Sequence, residues 1–200
     1  MGCSVCGDAD HNKARCPRAV TPNVTSESVS IQVDPIIQEK LKLLAHLCKC
    51  VAEELGKGHT EKIYQEALSL ELQQKGVVHI LEQVIPIMYK GIQLGGCHSM
   101  RIDICLQGYL DFIYELKATA TMIKVSELWQ ILRYLKTKNY TYGAVVNFNQ
   151  SLGGRLEIQF VVKSGGEYYL YDIKNATGVL LNDFVLDSAI DFSPCLIEDG

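Results

Sequence analysis

Asp103, Glu115 and Lys117 lie in two β-rich runs, residues 98–106 and 109–117, on either side of a Gln107-Gly108 turn. Alternate side chains of a strand share a face, so Glu115 and Lys117 point one way and Leu116 the other. A carboxylate and an ammonium on an otherwise apolar strand are costly to bury unless they act together. Asp103 precedes Glu115 by an even number of positions. A connection with an odd number of residues therefore sets Asp103 directly across from Glu115 on one face, whereas a two-residue loop turns it away. An odd loop or a bulge is expected. Two carboxylates so placed suit a hard cation such as Mg²⁺, which takes a few carboxylate oxygens and keeps some of its water. Lys117 then stands where it can orient or deprotonate an attacking water and offset charge on a phosphate. The competing reading is a solvated strand face.

A second constellation lies at the start of the chain, with the spacing Cys3-x2-Cys6-x4-His11-x4-Cys16. Three thiolates and one imidazole make a closed tetrahedral Zn²⁺ site with no open position, so the ion would be structural. A segment this short cannot build a core, and its fold would come from metal binding itself. The spacing resembles the CCHC zinc knuckle, including Gly7 after the second cysteine and Pro17 after the last. That resemblance implies binding of single-stranded nucleic acid, with Lys13, Arg15 and Arg18 as the positive contacts. The knuckle holds no aromatic residue for stacking and carries Asp8 and Asp10, which leaves protein contacts as the alternative use.

Elements that could position these groups follow in order. Residues 19–33 are rich in Ser, Thr, Val and Pro without helical periodicity and read as a linker. Asp34-Pro35 is a helix start, an N-cap acid before a first-turn proline. Ile37, Leu41, Leu44, Leu47, Cys48 and Val51 then recur at helical spacing up to a stop at Gly56. Cys48 and Cys50 read as a core and a surface thiol. A second helix begins near Gly58 and ends at Gly76, with Tyr64, Leu68 and Leu72 on one face and Glu61 three residues before Tyr64. Residues 79–90 are β-rich, and 125–138 show helical spacing at Val125, Leu128, Trp129, Leu132 and Leu135. Residues 142–149 read as a strand, and 155–163 and 166–173 as a hairpin about Ser164-Gly165-Gly166. Residues 176–200 form an acidic tail in which Asp183, Asp187 and Asp191 fall on one helical face.

Asp103…Glu115-x-Lys117 looks like the signature of the PD-(D/E)XK nuclease superfamily, and Gly58-x-x-Glu61-x-x-Tyr64 matches the motif that names its GxxExxY family. The likeness continues through Glu66-Ala67-Leu68, Glu71-Leu72, Gly76, Gln83, Pro86-Ile87, Tyr89-Lys90-Gly91 and Arg101-x-Asp103. It runs on to Glu115-Leu116-Lys117-Ala118, Gln130, Tyr134-Leu135-Lys136 and Asn147-Phe148, covering about residues 40 to 162. The resemblance implies a restriction-endonuclease-like core of the α/β (α+β) class: a helix on a three-stranded antiparallel meander, then a second helix and a further strand. It also implies that Glu61 and Gln130 join Asp103, Glu115 and Lys117 in the site. On this reading Asp103 and Glu115 hold Mg²⁺ or Mn²⁺, helped by Glu61 and the Leu116 carbonyl. Gln130 orients substrate or lysine, and Arg101 adds a nucleic-acid contact. Two departures stand out. Glu127 occupies the position where the family commonly has histidine, and the Asp103–Glu115 hairpin is longer than usual.

The resulting division is a zinc knuckle (1–18), a linker (19–33), a nuclease-like core with a mixed sheet flanked by helices (34–175) and an acidic tail (176–200). With 48% apolar and 21% charged residues the chain can bury a sizeable core. A formal charge of −4 gives no global pull on nucleic acid, and five acids without a Lys or Arg follow Lys174. Eight cysteines read as metal ligands or free thiols rather than disulfides. No apolar run approaches a bilayer span and no basic-then-apolar leader opens the chain, so an intracellular protein, cytoplasmic or nuclear, without a membrane partner is expected. A knuckle on this core suggests a eukaryotic or viral setting, in a host cell or virion. The expected function is a metal-dependent nuclease with a knuckle as nucleic-acid tether. The alternative is an inactive nuclease-fold protein used for nucleic-acid binding or assembly, including as a homodimer.

Overall fold

The computed structural model describes residues 29–31, 33–94, 99–137 and 140–181. Helix α1 (Pro35–Leu55) begins as the Asp34-Pro35 pair dictates, with the Asp34 carboxylate accepting from the Ile36 amide at 2.7 Å. It ends at Gly56, whose φ of +64° is cheap only for glycine. Leu41, Leu44, Leu47, Cys48 and Val51 form its buried stripe. Helix α2 (Glu61–Gln74) packs on α1 and buries Tyr64, Leu68 and Leu72.

Strands β2 (His79–Pro86), β5 (Ser99–Leu106) and β6 (Phe112–Lys117) form the expected antiparallel meander. Between β2 and β5 a small hairpin, β3 (Met88–Tyr89) and β4 (Ile92–Gln93), turns at Lys90-Gly91. Both turn residues have positive φ, as tight hairpins require. Helix α3 (Val125–Thr137) crosses over so that β7 (Tyr142–Phe148) runs parallel to β6. Strands β8 (Leu156–Ser164) and β9 (Glu167–Asp172) extend the sheet by antiparallel pairing. No helix among the described residues is long and apolar enough to cross a membrane.

Two short strands fall outside the span 34–175. Strand β10 (Thr177–Leu180) pairs with β9, and β1 (Val29–Ser30) pairs with β10, giving the sheet order β1-β10-β9-β8-β7-β6-β5-β2. The linker and tail thus meet at one sheet edge. Each strand is too short to carry an alternation signal in the sequence, and each is held by pairing with a distant partner.

Two layers cover the sheet. Under α1 and α2 lie Ile104, Leu106, Phe112, Tyr114, Leu116, Ala144 and Val146. Under α3 lie Ile102, Cys105, Ile113, Val145 and Val161. The buried stripe of α3 is Leu128, Ile131, Leu132 and Leu135, with Trp129 38% exposed. The expected place of Trp129 on the apolar face is therefore corrected. The 128/131/132/135 spacing completes the stripe and leaves residue 129 at its side.

The connection from β5 to β6 is also longer than a Gln107-Gly108 turn. It spans residues 107–111, and β6 starts at Phe112 rather than at 109. Tyr109 and Leu110 pack on the α1/α2 layer, and Lys40 donates to the Tyr109 carbonyl at 2.6 Å. The Asp111 carbonyl accepts from the Thr141 and Tyr142 amides at 3.2 and 3.0 Å. These residues are committed elsewhere and cannot continue the ladder. Five is an odd number, so the register Ile104↔Tyr114, extended by one step, sets Asp103 level with Glu115, where backbone pairing itself has ended.

Candidate active site

Asp103 sits where the sheet opens on both sides. Toward β6 the backbone ladder stops at Ile104↔Tyr114, and the Asp103 carboxylate itself accepts from the Leu116 amide at 2.7 Å. Toward β2 the ladder skips Glu82, the residue opposite, and the Asp103 carbonyl instead accepts from the Gln65 amide of α2 at 2.9 Å. The packing changes sides here as well. Leu81 and Ile104 lie in the α1/α2 layer, whereas Ile85, Met100 and Ile102 lie under α3. The interruption lets groups from helices on opposite faces of one sheet meet.

The opening is a cavity of about 380 Å³ lined by Glu61 of α2, Asp103 and Arg101 of β5, Glu115 and Lys117 of β6, and Gln130, Arg133 and Tyr134 of α3, with Ser99 and Met100 at its side. All five residues proposed from the sequence as catalytic, Glu61, Asp103, Glu115, Lys117 and Gln130, contribute to this one wall. The Lys117 ammonium bonds a Glu115 carboxylate oxygen, donates to the Leu116 carbonyl at 3.0 Å and stands 3.9 Å from Glu61. The Leu116 carbonyl, expected to help hold a cation, is thus occupied by Lys117. The Gln130 amide donates to the Tyr134 hydroxyl at 2.8 Å, which donates to the Arg101 carbonyl at 2.7 Å.

Burial sets the electrostatics. Glu115 is 2% exposed, and burial, then the neighbouring Asp103, push its carboxyl up to about 7, against the opposing pull of Lys117. Burial raises Asp103 and Glu61 too, although Lys117 pulls each of them down. Burial works against the charge on Lys117, but Glu115, Glu61 and Asp103 outweigh it and hold its ammonium above the usual lysine range. One Glu115 oxygen, Oε2, is buried with no hydrogen-bond partner. A buried carboxylate oxygen left without a donor is expensive unless something of positive charge faces it.

These residues fit a hard divalent cation. Two neighbouring carboxylates, Asp103 and Glu115, one with an unpartnered buried oxygen, suffice for an ion that keeps most of its water. Among the described residues no three His, Cys, Asp or Glu side chains are grouped closely enough to hold an ion alone, so an all-protein cage is not what this site offers.

Gly58 and Tyr64 flank Glu61 and hold the chain around it. Gly58 has φ +92°, and its amide donates to the Gln150 side chain at 2.6 Å. Tyr64 is buried and stacked on Phe148 at 4.3 Å between centroids, with its hydroxyl donating to the Gly56 carbonyl at 2.8 Å. Together they fasten the start of α2, from which Glu61 reaches the cavity. Glu127 does not line the cavity. Its carboxylate accepts from the Lys124 amide at 2.7 Å and caps α3.

Arg133, Tyr134 and Glu82 are neighbours of the site that the sequence reading did not name as functional. Arg133 and Tyr134 follow Gln130 by three and four residues, a spacing that shares a helical face and could have flagged them. Glu82 carried no such signal. The zinc-knuckle residues Cys3, Cys6, His11 and Cys16, the basic residues Lys13, Arg15 and Arg18, and the acids Asp183, Asp187 and Asp191 lie outside the described residues.

A mixed sheet with a parallel β6–β7 pair, a helical acid and an Asp/Glu/Lys set at a break between strands defines a restriction-endonuclease-like fold. The family model of the PD-(D/E)XK nuclease superfamily matches residues 38–159, more than half of the chain, and the chain belongs to that superfamily. Membership supports a nuclease-type function and, with it, contact with nucleic acid. Neither the curated proteins nor the solved structures contain a significant match.

Proposed function

We propose that this protein is a Mg²⁺- or Mn²⁺-dependent nuclease of the GxxExxY group that hydrolyses phosphodiester bonds. The observation that carries this reading is the neighbouring Asp103 and Glu115 carboxylates in one cavity wall, with Lys117 beside them and a buried Glu115 oxygen that has no partner. Asp103 and Glu115 hold the cation. When bound, the cation supplies Lewis acidity and a more acidic water. Lys117 lies within hydrogen-bond reach of Glu115 and 3.9 Å from Glu61, so it can hold the attacking water against the phosphorus and take up part of the developing charge. Glu61 fixes that lysine from the helix side. Arg101 and Arg133 line the same cavity and provide guanidinium donors for phosphate oxygens. Gln130 braces Tyr134, and through it the backbone of Arg101.

The N-terminal Cys3, Cys6, His11 and Cys16 hold Zn²⁺ in this proposal, and Lys13, Arg15 and Arg18 tether nucleic acid near the core. A weak tether suffices, because linkage raises the local concentration of substrate.

Incubation of the wild type and Lys117→Ala with labelled single- and double-stranded DNA and RNA, in Mg²⁺ or Mn²⁺, tests the reading. The wild type should cleave at least one of these, and Lys117→Ala should be slower by a factor of about 100 or more with binding retained. Binding without cleavage by the wild type in either metal would instead favour a nuclease-fold binding protein.

A further inference from the structure

Glu82 stands at the middle of β2 with φ +53°, in the left-handed region, directly opposite Asp103. The change of packing side between Leu81 and Ile85 accounts for an irregular backbone here, but not for a glutamate. Glycine or asparagine would take that conformation at lower cost. A glutamate there points to a use for the side chain. Its carboxylate is 2.6 Å from the Arg101 Nε and 3.6 Å from the Lys62 ammonium. Arg101 lines the cavity two residues before Asp103, and the charges of both Glu82 and Arg101 reach Asp103 and Glu61, Glu82 raising those carboxyls and Arg101 lowering them. A guanidinium is the natural bidentate partner of such carboxylates, and without a competitor it would bridge onto the acids that a cation needs.

We infer that Glu82 is a positioning residue that holds Arg101 away from the Asp103 and Glu61 carboxylates. It thereby keeps the cation site open and leaves Arg101 at the rim for a substrate phosphate. This rests on the nuclease reading above. On it, the Glu82 carboxylate lies outside the cavity lining and on the Arg101 guanidinium, although its charge still raises Asp103 and Glu61.

Mn²⁺ affinity, measured on the full chain by electron paramagnetic resonance or calorimetry without nucleic acid, separates the possibilities. Glu82→Gln should bind Mn²⁺ about tenfold more weakly than the wild type, the effect size of outer-sphere partners at metal sites. Arg101→Ala should bind at least as well as the wild type. The double variant should match Arg101→Ala within about twofold, because Glu82 acts through Arg101. Glu82→Asn suits the left-handed backbone and guards against misfolding, and it should repeat the Glu82→Gln result with an unchanged melting temperature. Unchanged Mn²⁺ affinity in Glu82→Gln would overturn the inference. So would an equal weakening when Arg101 is absent, which would make Glu82 a direct charge contributor. A wild type that binds no Mn²⁺ would instead remove the nuclease reading, and this inference with it.

Discussion

At the scale of single residues, the chemistry concentrates on Glu115. Its folded carboxyl titrates near 7, well above its ordinary 4.5, first through burial and then through Asp103. The protonated form is therefore favoured by folding. Its stabilisation is fully present below about 4.5 and is lost as pH rises through about 7. The metal-free protein should accordingly be less stable at pH 8 than at pH 5, by on the order of 3 kcal/mol at most, and melt at a lower temperature there. Glu115→Gln should flatten that slope, and a slope unchanged by the substitution would place the titration elsewhere. Adding Mg²⁺ at pH 8 should raise the melting temperature of the wild type and not of Glu115→Gln, because a cation bound only by the folded state stabilises it. Lys117 needs no partner beyond those named. Surrounded by three acids, it stays charged across this whole range.

At the scale of elements, the site depends on where α2 begins. Gly56 and Gly58 turn the chain, Tyr64 fastens the turn to the Gly56 carbonyl, and Gln150 beyond β7 donates to the same hydroxyl at 3.0 Å. The tyrosine ring remains stacked on Phe148 if the hydroxyl alone is removed. Tyr64→Phe should therefore cost about 1–2 kcal/mol in urea unfolding, the value of a buried hydrogen-bonded hydroxyl. It should also reduce cleavage by more than that stability loss explains, since Glu61 rides on the loosened first turn. Asp34→Ala, at the start of α1 and remote from the cavity, should cost about 1 kcal/mol and leave cleavage unchanged. The contrast between these two variants separates an element that carries the site from one that only supports the core.

At the scale of the whole molecule, the two ends of the described chain close the sheet at the edge remote from β2. Ile31 is 7% exposed and belongs to the α1/α2 layer, and β1 covers the outer side of β10. Removing residues 1–28 should leave the melting temperature within a few degrees of the full chain. If the proposed zinc knuckle is present, the deletion should also abolish bound zinc, measured as metal per chain, and weaken nucleic-acid binding. Extending the deletion to residue 33 should lower the melting temperature further and expose the β10 edge to self-association, seen by light scattering. If the two deletions melt alike, β1 contributes nothing to the fold.

Local pattern was sufficient for the helices and most of the strands. The Asp34-Pro35 start, the Gly56 stop and the 41/44/48/51 stripe are written in neighbouring residues, because capping and amphipathicity are short-range effects. The face shared by Glu115 and Lys117 followed from strand geometry alone, and the placement of Asp103 level with Glu115 followed from parity once the loop length was known. Only the tertiary structure decided the rest. The loop is five residues long because Lys40 and the β7 backbone engage it. The sheet opens at Asp103 because Gln65, far away in sequence, takes its carbonyl. Arg133 and Tyr134 reach the cavity because α3 packs across β6 and β7. A residue's type and its near neighbours set which chemistry it can perform. Convergence in space depends on contacts between distant segments, for which a linear sequence keeps no local mark.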